Sequence, residues 1–266
     1  YHLLQSVFVL IDWADALHFE RRADARLARH DLGPALPADD LVMRAARSLQ
    51  TASGSALGAD ISIDKRVPWA AGLGGGSSDA ATTLLALNRL WNLNWPRERL
   101  LALAAPLGAD VPFFVGGRNA FVEGIGERLT PIEVPRQWLA VVKPAAGLAT
   151  AEIFGHPALV RDTPAVILSG FLADTTQPGF WARGYGRNDL QPPAEDRCPE
   201  VAQAADWLHR HFGNGRMTGS GSAVFARNGM DDQPMATWPA EDPLPAGWVG
   251  RMCRSLDRHP LAGWAD

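Results

Sequence analysis

The 266-residue sequence contains only two cysteines, Cys198 and Cys253, which lie far apart. Neither belongs to a C-x-x-C pair, so nothing points to a disulfide framework or a cysteine-rich metal site. No apolar run approaches the roughly 20 residues that a membrane-spanning helix needs. No basic segment followed by a short apolar core stands at the N-terminus. These absences predict a cytoplasmic protein with neither a membrane span nor a signal peptide.

An excess of positive charge is also missing, because the formal net charge is −4 at pH 7. A chain of this charge has no bulk attraction to nucleic acid or to anionic membranes. The hydrophobic content of 47% and the charged content of 20% are ordinary for a globular protein. The length predicts one large or two medium domains. Any anionic ligand must therefore be bound by a local arrangement of groups.

Such an arrangement is indicated by a glycine-rich stretch, Pro68–Ala81, that leads into a predicted helix. Polar and apolar residues alternate over Asp60–Asp64, which predicts a strand before the glycine-rich stretch. Apolar residues at helical spacing follow the stretch. We expect Ser77 or Ser78 to cap the helix and Asp79 to lie in its first turn. Glycine backbone N–H groups at a helix start predict an anion site, with a nucleotide phosphate as the best candidate.

Two well-known phosphate-loop patterns do not fit this stretch. A Walker A loop places a lysine directly after its glycines, and none follows here. A dinucleotide-binding loop needs a third glycine where Ser77 stands and an acid about 20 residues later, where residues 90–95 have none. The stretch is therefore a nucleotide loop of another kind, and a glycine-rich surface turn is the alternative.

The remaining pattern divides the chain into two parts. We predict strands over 3–11, over 139–142 and on both sides of 123–126, and helices over 40–51, 97–105 and 200–212. Asp39 or Asp40 is the expected cap of the helix over 40–51. A second glycine–serine turn, Thr218–Ser222, precedes a predicted strand at 223–226. Proline-rich connections beyond Pro144 place a domain boundary near residue 145, which gives domains 1–145 and 146–266.

Several separate blocks resemble the GHMP kinase superfamily. Three occur in the order of that family: Pro68–Ala81, Gly108–Phe114 and Met217–Ser222. Others resemble the branch that phosphorylates 4-diphosphocytidyl-2-C-methyl-D-erythritol: Tyr1–Gln5, Ala86–Trp91, Gly124–Glu127 and Asn188–Pro192. The resemblance spans nearly the whole chain. It implies a two-domain α/β (α+β) fold with a ribosomal-S5-domain-2-like N-terminal domain, which binds ATP, and a ferredoxin-like C-terminal domain.

The resemblance also implies an activity. The expected reaction is ATP- and Mg²⁺-dependent phosphorylation of the 2-hydroxyl of this cytidine diphosphate derivative, in the methylerythritol phosphate route to isoprenoids. Substrate and ATP are expected in a cleft between the domains, with no nucleic acid or membrane partner, in a monomer or weak homodimer. The family carries a Lys-x-Asn motif upstream of Tyr-His. Because this chain starts at Tyr1, we expect weak activity or none from it.

Two other kinds of function stay open. One is a kinase for another small alcohol, or a related decarboxylase, within the same superfamily. The other is a non-catalytic nucleotide-binding protein.

The resemblance assigns roles to particular residues. Asp110 is the expected general base, which takes the proton of the substrate hydroxyl; the alternative is an aspartate that caps the turn before Pro112. For Lys65 the alternative to a nucleotide contact is a solvated lysine at a strand end. The implied ATP-binding residues are Lys65, Pro68, Ala70, Ala71, Gly72, Leu73, Gly74, Gly75, Gly76, Ser77, Ser78, Asp79 and Ala80.

The implied substrate-binding residues are Tyr1, His2, Phe8, Asp110, Thr150, Phe154, Gly219 and Ser220. Two aromatic rings can sandwich a pyrimidine, because every base has a π-face. From the sequence alone Phe8 and Phe154 are interpreted as core residues, and only the resemblance places them at the substrate. Gly219–Ser222 is equally well interpreted as a structural turn. Ser77 and Ser78 are candidates for phosphate or magnesium contacts, but the sequence identifies no metal ligands.

Overall fold

The computed structural model describes residues 3–265, in which the chain packs as two units. The first unit comprises the chain up to Val67, Gly74–Glu133 and the residues from Asp257 onwards. The second comprises Pro68–Leu73 and Val134–Leu256.

The elements of the first unit are β1 Leu4–Phe8, β2 Leu10–Ile11, β3 Ala16–Arg22, β4 Leu27–Asp31, α1 Leu41–Ser53, β5 Gly58–Asp64, α2 Gly75–Leu90, α3 Arg97–Ala104, α4 Val111–Gly116, β6 Ala120–Gly124, β7 Arg128–Pro131 and a 3₁₀ turn, Ala262–Trp264. Those of the second are β8 Trp138–Lys143, α5 Thr150–Phe154, α6 Leu168–Thr175, α7 Phe180–Arg183, α8 Gln191–Arg197, α9 Pro199–Phe212, β9 Arg216–Met217, β10 Val224–Arg227 and β11 Val249–Leu256.

The units divide the chain differently from the predicted boundary near residue 145. The main division falls between Glu133 and Val134, because β8 is the central partner of β10 and β11 in the second unit. The C-terminal residues return to the first unit, where the His259 amide donates to the Gly117 carbonyl at 3.0 Å. The proline-rich composition beyond Pro144 reflects connections inside the second unit.

In the first unit, the alternation over β5 buries Ala59, Ile61 and Ile63 in one core with α1 and α2. β5 is the middle strand of a sheet ordered β3-β5-β4, antiparallel to β3 and parallel to β4. A second sheet is ordered β1-β6-β7. The predicted cap of α1 is confirmed, because the Asp40 carboxylate accepts from the Met43 amide at 3.0 Å.

The start of α2 was predicted three or four residues too late. Gly74 occupies the cap position in a left-handed conformation with φ +69°, and no side chain caps the helix. The helix therefore begins at Gly75, and Ser77 and Ser78 lie within it. Asp79 falls in the second turn, so the prediction that it lies in the first turn is also wrong.

The second unit is an antiparallel sheet whose strands follow the order β11-β8-β10-β9. Helices α8 and α9 pack on it through a core that includes Val142, Val201 and Leu208. As the sequence predicts, α9 begins with Pro199 and ends at Gly213 in a left-handed conformation. Within residues 3–265, no helix combines the length and apolar character needed to cross a bilayer.

Candidate active site

The first half of the glycine-rich stretch is held by the second glycine–serine turn. Within the second unit, the Ser222 amide donates to the Ala70 carbonyl at 3.2 Å, and the Ala223 amide donates to the Ala71 carbonyl at 3.0 Å. The Thr218 hydroxyl donates to the Gly72 carbonyl at 3.2 Å. The structure thus brings together two motifs that lie about 150 residues apart in the sequence.

Gly72 shows why this contact needs glycine. Its φ is +68°, and a Cβ at this position would lie 2.4 Å from the Thr218 carbonyl oxygen. Any other residue type would meet both a strained backbone and a steric conflict. Close approach of two backbones therefore accounts for the composition of both motifs here.

The start of α2 is suited to an anion. The N–H groups of Gly75–Ser77 have no side-chain cap and no earlier helical carbonyl to pair with. The Ser77 and Ser78 hydroxyls form no hydrogen bond with any residue that the structure describes. Because a helix N-terminus also carries positive partial charge, this region favours phosphate. Ala80, predicted beside it, is fully buried, so its side chain belongs to the core.

Lys65 lies in a buried cluster with two carboxylates. Its ammonium donates to Asp15 Oδ2 and, at 2.7 Å, to Asp79 Oδ2. The side chains of Lys65, Asp15 and Asp79 are 10%, 2% and 4% exposed. The alternative of a solvated strand-end lysine is therefore wrong. An ammonium group has three N–H donors, and the two carboxylates engage two of them.

Burial and the neighbouring charges in this cluster change the ionisation of Asp79 and Lys65. Burial is the main reason that the pKa of Asp79 is raised to about 7; Lys65 opposes the shift and the Asp15 charge adds to it. Burial alone would lower the pKa of Lys65, but the two carboxylates outweigh it and the net shift is upward. Lys65 is therefore a cation at neutral pH, and Asp79 titrates near pH 7.

Asp110 precedes the short helix α4, which the sequence analysis did not predict. It occupies the cap position with helical φ −87°, and its side chain does not cap the helix. Among the described residues none forms a hydrogen bond or ion pair with its carboxylate. Burial raises the pKa of Asp110 above the usual carboxyl range. The alternative role as a turn cap is thus not supported by its contacts.

The predicted substrate residues fall into two groups. In the first unit, Phe8 packs edge-on against Phe113 of α4, with 5.3 Å between ring centroids. In the second unit, the hydroxyls of Thr150 and Ser220 are hydrogen bonded at 2.9 Å, and Phe154 is half-buried at the end of α5. Gly219, beside Ser220, accepts from Asn188 through its carbonyl. Tyr1 and His2 lie outside the described residues.

The chain is similar to known proteins along its whole length. Family models described as "GHMP kinases N terminal domain" and "GHMP kinases C terminal" match residues 40–118 and 179–227. The 4-diphosphocytidyl-2-C-methyl-D-erythritol kinase of Methylibium petroleiphilum is 63% identical over 265 residues, which cover 100% of this chain and 90% of that protein. The chain belongs to the GHMP kinase family. Its predicted two-domain α/β fold and its prediction as a small-molecule kinase are confirmed.

Further relatives support the same family and the same fold. The enzyme of the same name from Albidiferax ferrireducens is 54% identical, over 100% of this chain and 88% of that protein. A crystal structure of 4-(cytidine 5'-diphospho)-2C-methyl-D-erythritol kinase is 37% identical with a TM-score of 0.70, covering 85% of this chain and 81% of that one. A mevalonate kinase structure with a TM-score of 0.67 is 12% identical, covers 94% of this chain and 92% of its own, and shows the fold alone.

Sequence reasoning missed one organising residue in each unit of this GHMP kinase. Asp15 binds Lys65, although no motif surrounds it in the sequence. Asn188 lies in a block that was noted only for its resemblance. Its amide donates to the Met217 carbonyl at 2.9 Å and to the Gly219 carbonyl at 2.8 Å. Asn188 therefore holds the second glycine–serine turn, a role that only the fold reveals.

The raised pKa of Asp79 predicts a specific dependence of stability on pH. Folded Asp79 keeps its proton up to about pH 7, whereas the unfolded carboxyl loses it near its ordinary value. The stabilisation is therefore present at low pH and is lost as pH rises through about 7. We expect the free energy of unfolding to fall between pH 5 and pH 8 by on the order of 2 kcal/mol more in the native protein than in Asp79→Asn.

Urea unfolding at both pH values measures this difference. Asp39→Asn, which alters an exposed carboxylate paired with Arg47, is the control and should follow the native protein. An identical pH dependence for native protein and Asp79→Asn would contradict the prediction.

Proposed function

We propose that this GHMP kinase transfers the γ-phosphoryl group of ATP to the 2-hydroxyl of 4-diphosphocytidyl-2-C-methyl-D-erythritol. The observation that carries the proposal is the 63% identity, over the entire chain, to a kinase named for that substrate. The reaction belongs to the methylerythritol phosphate route to isoprenoids. Phosphoryl transfer asks the protein mainly for positioning and for neutralisation of charge, and the described groups supply both.

The ATP phosphates are assigned to the glycine-rich stretch. GHMP kinases use ATP, and the uncapped start of α2 provides backbone N–H groups for its phosphates. Lys65 has one N–H donor that neither carboxylate engages, and this donor is assigned to the nucleotide. The remaining predicted ATP-binding residues form the backbone that carries these groups.

Magnesium is assigned to the ATP phosphates instead of to a protein cage. Over residues 3–265 there is no group of three or more His, Cys, Asp or Glu side chains able to hold a metal. Mg²⁺ at kinase sites commonly binds through phosphates and one or two protein ligands. The Ser77 and Ser78 hydroxyls fit contacts to the phosphates or to the metal, which would offset negative charge on the transferred group.

Asp110 is assigned as the general base. The substrate oxygen forms the new O–P bond while the bond to the ADP leaving group breaks, and Asp110 accepts the hydroxyl proton. Burial raises the pKa of this carboxylate, which makes it a stronger base than a solvated aspartate. Its lack of competing hydrogen bonds within the described chain leaves its oxygens available for the substrate.

The cytidine end of the substrate is assigned to the predicted aromatic and hydroxyl residues. Phe8 and Phe154 are each half-buried, and aromatic rings of this kind can stack on a pyrimidine base. The linked hydroxyls of Thr150 and Ser220 offer polar contacts beside Gly219. Tyr1 and His2 complete this proposed set from outside the described residues.

A substrate panel tests the proposal. We expect ADP release to depend on 4-diphosphocytidyl-2-C-methyl-D-erythritol and not on homoserine or mevalonate, and phosphorus NMR to show one new phosphate monoester. Turnover with one of the other alcohols instead would indicate a different kinase of the family. Nucleotide binding without turnover of any panel member would favour a non-catalytic binding protein.

A further inference from the structure

We infer that Asp15 is a positioning residue that sets Lys65 and the entry to the glycine-rich stretch for nucleotide binding. The inference deepens the proposed function and rests on its assignment of ATP to this stretch. Asp15 lies between β2 and β3, and its side chain is 2% exposed. A carboxylate so buried needs partners for both oxygens.

The partners of Asp15 are three consecutive residues. Oδ2 binds the Lys65 ammonium. Oδ1 accepts from the Arg66 amide at 2.6 Å and from the Val67 amide at 2.8 Å. Nearby, the Trp13 indole donates to the Arg66 carbonyl at 2.9 Å. These bonds fix the segment that follows β5 and leads directly into Pro68.

The cluster also reaches the far side of the stretch. Lys65 extends from Asp15 to Asp79, which lies in the second turn of α2. A Cβ at Gly75, the first residue of α2, would lie 3.6 Å from Asp15 Oδ2 and 3.1 Å from a Val67 methyl carbon. Asp15 therefore contacts the residues before the stretch and lies beside the helix start within it.

Charge-assisted hydrogen bonds of this kind restrict a flexible lysine to one orientation. Without the Asp15 carboxylate, Lys65 would keep its charge but would lose one of the two carboxylates that fix its orientation. A fixed lysine loses less conformational entropy when the nucleotide binds. Asp15 therefore acts on ATP through Lys65, without being assigned a contact to ATP itself.

Asp15→Asn isolates this effect. The asparagine oxygen still accepts from the two backbone amides, whereas the charge that holds Lys65 is removed. Asp15→Asn also removes one of the charges that raise the pKa of Asp79, so Asp79 can pair with Lys65 as a carboxylate. No buried charge is then left alone, and the variant should fold. We expect the Kd and KM for ATP to rise about tenfold, with KM for the cytidine substrate unchanged within about twofold. Asp15→Ala, which also removes the backbone acceptor, should raise them further.

A double-mutant cycle with Lys65→Met tests the route of the effect. If Asp15 acts through Lys65, Asp15→Asn should weaken ATP binding by less than about threefold in the Lys65→Met background. Asp60→Asn is the matched control, because Asp60 lies on β5, the strand before Lys65, but pairs with Arg22 and His30. It should leave both KM values unchanged.

Three outcomes would overturn the inference: unchanged ATP affinity in folded Asp15→Asn, tighter ATP binding, or an equal loss in both backgrounds. Failure of the proposed function gives a different result, since the native protein itself would then not turn over the cytidine substrate with ATP. Native turnover combined with any of the three outcomes contradicts the role of Asp15 alone.

Discussion

We expect Asp110→Asn to lower the turnover of the cytidine substrate by about 10²–10⁴-fold. The variant should still fold and bind ATP. Asparagine keeps the shape of the side chain but cannot accept the hydroxyl proton. The fold should tolerate the change, because the Asp110 carboxylate makes no cap bond to α4. Steady-state kinetics with thermal unfolding of the same samples separates lost chemistry from lost structure.

The pH profile adds a second test of the same base. Only ionised Asp110 can accept a proton, so kcat/KM should fall as pH decreases through its raised pKa. This acid limb should lie above the usual carboxyl range, and the residual activity of Asp110→Asn should lack it. Asp24→Asn, at an exposed carboxylate paired with Arg22, should retain both the rate and the limb. Turnover within about threefold of native in folded Asp110→Asn would remove Asp110 from the mechanism.

Gly72→Ala is expected to weaken ATP binding at least about tenfold, the equivalent of 1.4 kcal/mol. The methyl group would lie 2.4 Å from the Thr218 carbonyl oxygen, and the left-handed backbone at φ +68° opposes any side chain. The loop must therefore shift away from the turn that holds it. Calorimetric titration with ATP measures the loss.

Gly170→Ala is the matched control for this glycine. It lies in α6 of the same unit, and a Cβ there meets no atom within 4 Å. Alanine at this position should leave ATP affinity unchanged. Native affinity in Gly72→Ala would show that the contact between the two motifs does not shape the nucleotide site.

Local sequence signals predicted much of the fold. Alternation identified β5, a helical stripe identified α1, and Pro199 and Gly213 marked the ends of α9. The start of α2 was missed, because serines are preferred caps, whereas here Gly74 takes the cap position through its left-handed backbone. Propensity favours the side chain that can cap, but the path of the loop decides where the helix begins.

The site was less predictable than the fold. Glycine composition located a phosphate-binding stretch, and resemblance singled out Asp110. Neither could place Asp15 beside Lys65, 50 positions later, since only the pairing of β3 with β5 brings these segments together. Long-range partners leave no local signature in a single sequence.

The bonds that Ala70, Ala71 and Gly72 accept from residues 218–223 also bear on protein engineering. A phosphate-binding loop is usually treated as a local unit that can be transferred between scaffolds together with its helix. Here the conformation of half of the loop depends on a distant part of the chain. Residues 68–81 grafted alone would lack the backbone contacts that shape their first half. A functional graft therefore also needs residues 218–223 in the same register.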